Sequence, residues 1–484
     1  MTSGTTGSLL TLPVLTAAEM RSAEAVVIAA GTPAEVLMER AGRAAATAIM
    51  AFGGPREALV LCGAGNNGGD GYVVARLLRE AGYLISVAAS GPSATPAATA
   101  AADRWAGAVT SLAAARPTPL VVDALFGSGL TRPLTPTLRS AASPLLAAGR
   151  LRIALDLPSG LDADSGADLG ALAVADLTIA FGALKPAHCL EPGRTWCGRI
   201  VVADIGLGEI ASQFHRIKPP QLTTPGADTN KYARGAVLVL GGPSGRGGAA
   251  RLCARAALRS GAGLAMIAVP PDALAENAAR LDAVMLAVVQ DGTALRDLLA
   301  SRRFAAVAAG PGLGTGDTAQ ELVMALVASG LPAVLDADVF TLFAGAPERL
   351  AAALRGPAVL TPHAGEFTRL FGTLSGSKVA QARAAAVRCG AVVLFKGADT
   401  VVAASDGRAA INTHASPDLA TAGSGDVLTG IVAGLLAQGQ PPFEAACAAA
   451  WLHGEVGRRG GAGLTADDLP ELLPAVLRDV RQRE

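Results

Sequence analysis

Nowhere in the 484 residues do about 18 apolar residues run uninterrupted, so no membrane-spanning helix is expected. Net charge is also missing: 40 basic residues balance 40 acidic ones. No bulk field is present to attract nucleic acid or an anionic membrane, and neither is expected as a partner. The six cysteines (Cys62, Cys189, Cys197, Cys253, Cys389, Cys447) form no CxxC and no paired spacing with histidine. A zinc site or disulfide framework is therefore not expected, and buried free thiols in a reducing cytoplasm fit best. The first residues lack a basic region followed by an apolar stretch, so they do not read as a secretory signal. Lysine is scarce. Only Lys185, Lys218, Lys231, Lys378 and Lys396 occur, which makes a lysine inside a motif conspicuous.

What is present describes a globular chain, with hydrophobic content of 51% and charged content of 17%. The length calls for two or three domains. Short apolar runs recur, each followed by a glycine-rich turn and an Ala-rich helical stretch: ALVLCGAGNNGGDG, PLVVDALFGSG, RIALDLPSG, AVLVLGGPSGRGG, AAVAAGPGLG, VVLFKGADT. Continuous apolar strands alternating with helices imply α/β architecture with parallel sheet covered on both faces. Ligands of such sheets bind at the carboxyl ends of strands, where these glycines and polar residues fall. The polar, proline-bearing stretch from about residue 212 to 230 breaks the rhythm and reads as a linker. Two different α/β domains are expected, at 1–212 and 222–484, because the halves share no motifs.

In the first half, GAGNNGGDG follows a strand and opens a helix, the arrangement of a phosphate-type site. A turn needs one Asn or Asp, and this loop has Asn66, Asn67 and Asp70. Two further strand ends add Asp123, Asp156 and, three residues on, Ser159. Asn67, Asp123 and Ser159 on one rim would make a hard, weakly charged oxygen cage, suited to a monovalent cation or a hydrated divalent ion. The competing reading is that each merely caps a helix.

Together, GAGNNGGDGYVVARLL, VVDALFGSGL and DLPSGLDADSG resemble the NAD(P)H-hydrate epimerase family. EMRSAEAVVIAAGTPAEVLMERAG is similar to its N-terminal helical arm, and TIAFGALKPAH with GRIVVADIGL to its closing strands. The resemblance implies a Rossmann-like three-layer α/β domain. It implies hydrate binding by Asn66, Asn67, Gly68, Gly69 and Asp70, by Gly127, Ser128, Gly129, Leu130, Thr131, Arg132 and Pro133, and by Asp156. It also implies a potassium ion at Asn67, Asp123 and Ser159. Exchanging the configuration of a hemiaminal needs loss and return of water, or an equivalent ring opening. A carboxylate can move the proton and face the developing positive charge, and Asp156 is the residue expected to do so.

The second half carries GPGLG, LDADVF, TPHAGE, KGADT and ATAGSGD in order. In the last, backbone N–H groups at a helix start can hold a phosphate while Asp426 takes a proton from an attacking hydroxyl. A plain helix cap is the alternative. The set resembles the ribokinase-like superfamily, in its NAD(P)H-hydrate dehydratase branch. That resemblance implies hydrate contacts from Gly312, His363 and Asp426. It places the nucleotide at Lys396, Gly397, Ala398, Asp399, Thr400 and Gly425. It favours ADP over ATP as donor, with a magnesium ion accompanying the phosphates. Departures are Ala422 where glycine is usual, Ser416-Pro417-Asp418 in the preceding loop, and a missing glutamate before the methionine of RLDAVMLAVV.

The expected protein is thus a bifunctional enzyme, isomerase and lyase, that repairs hydrated NAD(P)H. Its ligands would be NAD(P)H hydrates and ADP or ATP, and a homo-oligomer in the cytoplasm is expected. The alternative is a small-molecule kinase of a vitamin-like or sugar-like hydroxyl, with a dinucleotide-binding first domain. A non-enzymatic dinucleotide sensor would not need Asp426.

Overall fold

The computed structural model describes residues 10–222, 224, 226 and 228–482. One compact unit spans Leu12–Phe214, and the other is built mainly on His215–Glu484. The strands in chain order are β1 (Leu10–Pro13), β2 (Glu57–Cys62), β3 (Leu84–Ala89), β4 (Val109–Ser111), β5 (Leu120–Ala124), β6 (Leu151–Leu155), β7 (Leu177–Phe181), β8 (Arg199–Ala203) and β9 (Phe214–Ile217). They continue as β10 (Ala236–Leu240), β11 (Leu264–Val269), β12 (Met285–Val288), β13 (Ala306–Ala309), β14 (Ala333–Leu335), β15 (Ala358–Leu360), β16 (Val392–Phe395), β17 (Thr400–Ala403) and β18 (Ala409–Asn412). The stretch read as a linker is not wholly irregular, since it contains β9.

In the first unit the sheet order is β4-β3-β2-β5-β6-β7-β8, with every pairing parallel. Strand β5 is buried at all five positions, as the unbroken run LVVDA requires when helices cover both faces. The order reverses between β2 and β5. Such a switch point is where open α/β sheets take their ligands.

The second sheet runs β1-β9-β18-β17-β16-β15-β14-β13-β10-β11-β12. From β16 to β12 it is parallel, and β16-β17-β18 form an antiparallel run. Its reversal lies between β10 and β13, whose following loops are GGPSGRGG and GPGLG. A Cβ on Gly242 would sit 1.8 Å from the carbonyl oxygen of Gly312, so only glycine lets those loops meet. The apolar helix Ser424–Ala437 is buried almost throughout and belongs to the same core as β10 and the helix Gly247–Arg259. Among the described residues no helix is long and apolar enough to cross a membrane.

Candidate functional site

In the first unit the helix Asn66–Glu80 begins directly after the β2 turn. Its N-cap is Gly65, and no side chain caps it. Asn66 and Asn67 are therefore not caps. Asn66 Oδ1 accepts from Thr95 Oγ1 at 2.5 Å, while both polar atoms of the Asn67 amide are buried without a hydrogen-bond partner. A Cβ on Gly127 would lie 2.7 Å from Asp156 Oδ2 and 3.2 Å from Asn67 Oδ1. Glycine there lets the β5 loop lie against both side chains.

Asp123 and Ser159 are in direct contact. Ser159 donates from its N–H (2.9 Å) and its hydroxyl (2.7 Å) to the two Asp123 oxygens, and Leu125 N–H adds a bond of 3.2 Å. Burial pushes the Asp123 carboxyl up, opposed by these donors. Ser159 caps no helix; its hydroxyl accepts from Phe126 N–H at 2.9 Å.

Asp156 has a positive φ of 63°, a conformation that costs a non-glycine residue on the order of 1–3 kcal/mol. Its neighbours hold it there. Its N–H donates to Ile179 O (2.8 Å), and its carbonyl faces His188 Nε2 (2.7 Å). Its carboxylate accepts from Lys185 Nζ (2.5 Å) and Ser128 N–H (2.8 Å). Burial alone would raise its pKa, but the Lys185 charge and these donors outweigh burial and hold the carboxyl below its usual range. His188 Nδ1 accepts from Lys185 N–H at 2.8 Å, so Nε2 carries the proton. Burial and the nearby ammonium push that imidazole down to about 4, and it stays neutral. The Asp70 carboxyl, on the helix Asn66–Glu80, has no hydrogen-bond or ion-pair partner among the described residues. Burial first, then the charges of Asp156 and Glu24, raise its pKa well above normal. Leu130 is buried, whereas Thr131, Arg132 and Pro133 are exposed on the loop beyond it.

Sequence reasoning gave no role to Lys185, His188 or Glu24. Lys185 was conspicuous as a rare lysine, but its burial, 1% exposed, could not be read from FGALKPAH. Glu24, on the helix Ala17–Ala29, joins the same electrostatic cluster; burial raises its pKa against the pull of Lys185.

In the second unit Gly423, at φ 88°, is the N-cap of the helix Ser424–Ala437, again without a side-chain cap. Asp426 therefore stands in the first turn of the helix and does not cap it. Burial, then the charge of Asp336, raises its carboxyl to about 7; Lys396 opposes the shift, and Asp338 and Glu366 reinforce it. Lys396 Nζ donates to Asp336 Oδ1 at 2.8 Å and lies 3.7 Å from Glu366. Gly397 N–H donates to Thr400 Oγ1 (3.1 Å), and that hydroxyl donates to Gly397 O (2.8 Å), which closes the KGADT turn. Lys378 Nζ reaches Asp399 at 2.5 Å and the Lys396 carbonyl at 3.4 Å.

Gly312 adopts φ 64°, and Gly314 N–H donates to Asp338 Oδ2 at 2.8 Å, joining the GPGLG and LDADVF loops. His363 is a helix cap in this structure. Its Nδ1 accepts from Gly365 and Glu366 N–H (3.0 and 3.3 Å), and its side chain is 58% exposed. Asp336, Asp338 and Glu366 lay inside motifs visible in the sequence, yet their convergence on Asp426 was not foreseen. Ala422 is exposed beside the cap glycine, and Pro417–Leu419 form a short turn in which Ser416 Oγ accepts from Asp418 N–H. Met285 begins the edge strand β12.

Known proteins match both units. Residues 34–187 match the family described as YjeF-related protein N-terminus, and residues 237–475 match the family described as NAD(P)H-hydrate dehydratase. The bifunctional NAD(P)H-hydrate repair enzyme of Gloeobacter violaceus is 38% identical over 96% of this chain and 97% of its own. That of Salinibacter ruber is 38% identical over 96% of each. The solved structure of the ADP/ATP-dependent NAD(P)H-hydrate dehydratase of Bacillus subtilis, co-crystallized with ATP and Mg2+, is 29% identical. It covers 54% of this chain and 95% of its own at a TM-score of 0.49.

Proposed function

The chain belongs to the family of bifunctional NAD(P)H-hydrate repair enzymes, and we propose that it epimerises hydrated NAD(P)H in its first unit and dehydrates the S epimer in its second. The observation that carries this reading is the state of Asp426. It is uncapped at a helix start, with a pKa raised to about 7, in a loop constellation whose order matches the dehydratase family.

The second site supplies what dehydration needs. Hydroxide is a poor leaving group, so the hydroxyl is first phosphorylated. Its proton passes to Asp426 as its oxygen bonds the terminal phosphorus of ADP and AMP departs. The C–O bond then breaks, phosphate leaves with the bonding pair, and the ring-nitrogen lone pair forms C=N. Loss of a proton from the neighbouring carbon restores the dihydronicotinamide. The N–H groups of Gly425 and Asp426 hold the phosphate, Ser424 N–H being donated to Thr421 O at 3.3 Å, and Lys396, Gly397, Ala398, Asp399 and Thr400 take the nucleotide. Gly312 and the exposed His363 imidazole line the hydrate side. A magnesium ion would arrive on the phosphates. No group of three or more acidic, histidine or cysteine side chains suited to a metal exists among the described residues, and the nearby carboxylates are engaged by Lys396 and backbone N–H groups.

At the first site Asn66 to Asp70 and Gly127 to Pro133 flank the hydrate. Asp156, held ionised, faces the positive charge that develops as the hemiaminal hydroxyl leaves. A potassium ion would find at Asn67 a buried amide without a partner, in contact with the Gly127 loop, and at Asp123 and Ser159 a bonded carboxylate–hydroxyl pair. Bound there, potassium would neutralise Asp123 and attract substrate oxygens.

The test is the fate of the nucleotide. With pure S hydrate, phosphorus NMR should reveal AMP and inorganic phosphate forming one-for-one with NAD(P)H. Accumulation of a stable phosphorylated organic product would instead make the second unit an ordinary small-molecule kinase.

A further inference from the structure

Asp336 follows β14, is 1% exposed, and divides its two oxygens between two elements. Oδ1 accepts from Lys396 Nζ at 2.8 Å, and Oδ2 accepts from Thr429 Oγ1 at 2.7 Å. Thr429 stands three residues after Asp426 on the helix Ser424–Ala437, the spacing that places two side chains on one helix face. A Cβ on Gly425 would lie 3.3 Å from Lys396 Nζ and 3.9 Å from Asp336 Oδ2. The ion pair therefore presses against the first helical turn, where the phosphate is to be held.

We propose that Asp336 is a positioning residue of the dehydration site: it fixes Lys396 at the helix start and keeps a negative charge behind Asp426, so that Asp426 serves as a hydroxyl's base at neutral pH. This rests on the dehydratase reading of the site.

The groups that face Asp426 are Asp336, Asp338 and Glu366 on the acidic side, Lys396 on the basic side, and the thiol of Cys253, which burial keeps neutral. Asp338 is tied to Gly314 N–H and Glu366 to His363 N–H. Asp336 alone both repels Asp426 directly and bonds Lys396 at hydrogen-bond distance. Neutralising Asp336 acts twice in one direction. It removes a like charge, and it frees the ammonium to pair with Asp426. Both changes favour the ionised form of Asp426 and make it a weaker base.

The experiment follows NAD(P)H restoration from pure S hydrate with ADP and Mg2+, using the full chain from about pH 5 to about pH 9. In Asp336→Asn the acid limb of kcat should move to lower pH, the plateau should drop about tenfold or more, and KM for ADP should rise. Asp336→Glu keeps the charge and should keep the acid limb near its wild-type position. Calorimetric unfolding of the second unit, with and without ADP, serves as the folding control for both variants. An unchanged limb and unchanged KM in Asp336→Asn would overturn the inference, and so would a downward shift of the limb in Asp336→Glu. A wild-type protein that restores no NAD(P)H under any of these conditions would overturn the dehydratase reading itself.

Discussion

Lys185 and Asp156 form a buried ion pair, 2.5 Å apart, with side chains 1% and 9% exposed. Two more acceptors, the carbonyls of Phe181 (2.8 Å) and Ala183 (3.2 Å), complete the ammonium's bonds. The pair gives the first site a carboxylate that stays charged although it is buried.

Removing one partner of such a pair leaves an uncompensated buried charge, at a cost of about 3–5 kcal/mol. Lys185→Met should therefore destabilise the first unit by that order and abolish epimerisation, while dehydration of pure S hydrate continues. The sign with pH follows from Asp156. Its folded pKa is depressed, so its contribution is present above the unfolded carboxyl value and lost as pH falls through the folded one. Denaturant unfolding of wild type and variant between neutral and acid pH checks this: their difference should shrink toward acid.

Asp123→Ala removes the only carboxylate of the proposed potassium cage. Epimerisation should fall and lose its response to added potassium, with dehydration unchanged. Parallel assays on R and S hydrate decide it, and equal loss of both activities would indicate misfolding instead.

Asp426 must be ionised to accept a proton, and its pKa is raised to about 7, so dehydration should rise with pH through that value. Asp426→Asn should slow dehydration about 10²- to 10⁴-fold and leave ADP binding and epimerisation intact. A raised carboxyl pKa also means that folding favours the protonated form, so this contribution is lost as pH rises from the unfolded carboxyl value to about 7 and the loss is complete above it. The asparagine variant should therefore gain stability over wild type at alkaline pH. Calorimetry at two pH values on either side of neutrality measures it.

Much of this was legible because it is local. GAGNNGGDG and GSGD announce a turn entering a helix, and Asp123 and Asp156 mark where buried strands end. What escaped the sequence crosses it. Lys185 meets Asp156 over 29 residues, and Lys396 meets Asp336 over 60. Only the packing of parallel strands fixes which carboxylate each rare lysine meets. The helix-cap alternative was wrong for Asp426 and Asn67, whose helices begin on glycine N-caps, and His363, expected to touch the hydrate, caps its own helix with its imidazole. Asp156 was expected to move the proton as well as face positive charge. Its ion pair favours the second task, because a carboxylate held below its usual pKa is a poor proton carrier. Strand β9 escaped because four residues among prolines carry too little alternation to stand out.

The most direct test of the central claim is the end point of NAD(P)H absorbance when mixed R and S hydrates are given to the full chain with ADP, Mg2+ and potassium. Two sites acting in sequence predict that, in the time wild type takes to restore the whole pool, Asp123→Ala stalls once the S epimer is consumed and Asp426→Asn restores almost nothing. Wild-type restoration that stops at the S fraction would contradict epimerisation in the first unit, and full restoration by Asp426→Asn would contradict the dehydration mechanism.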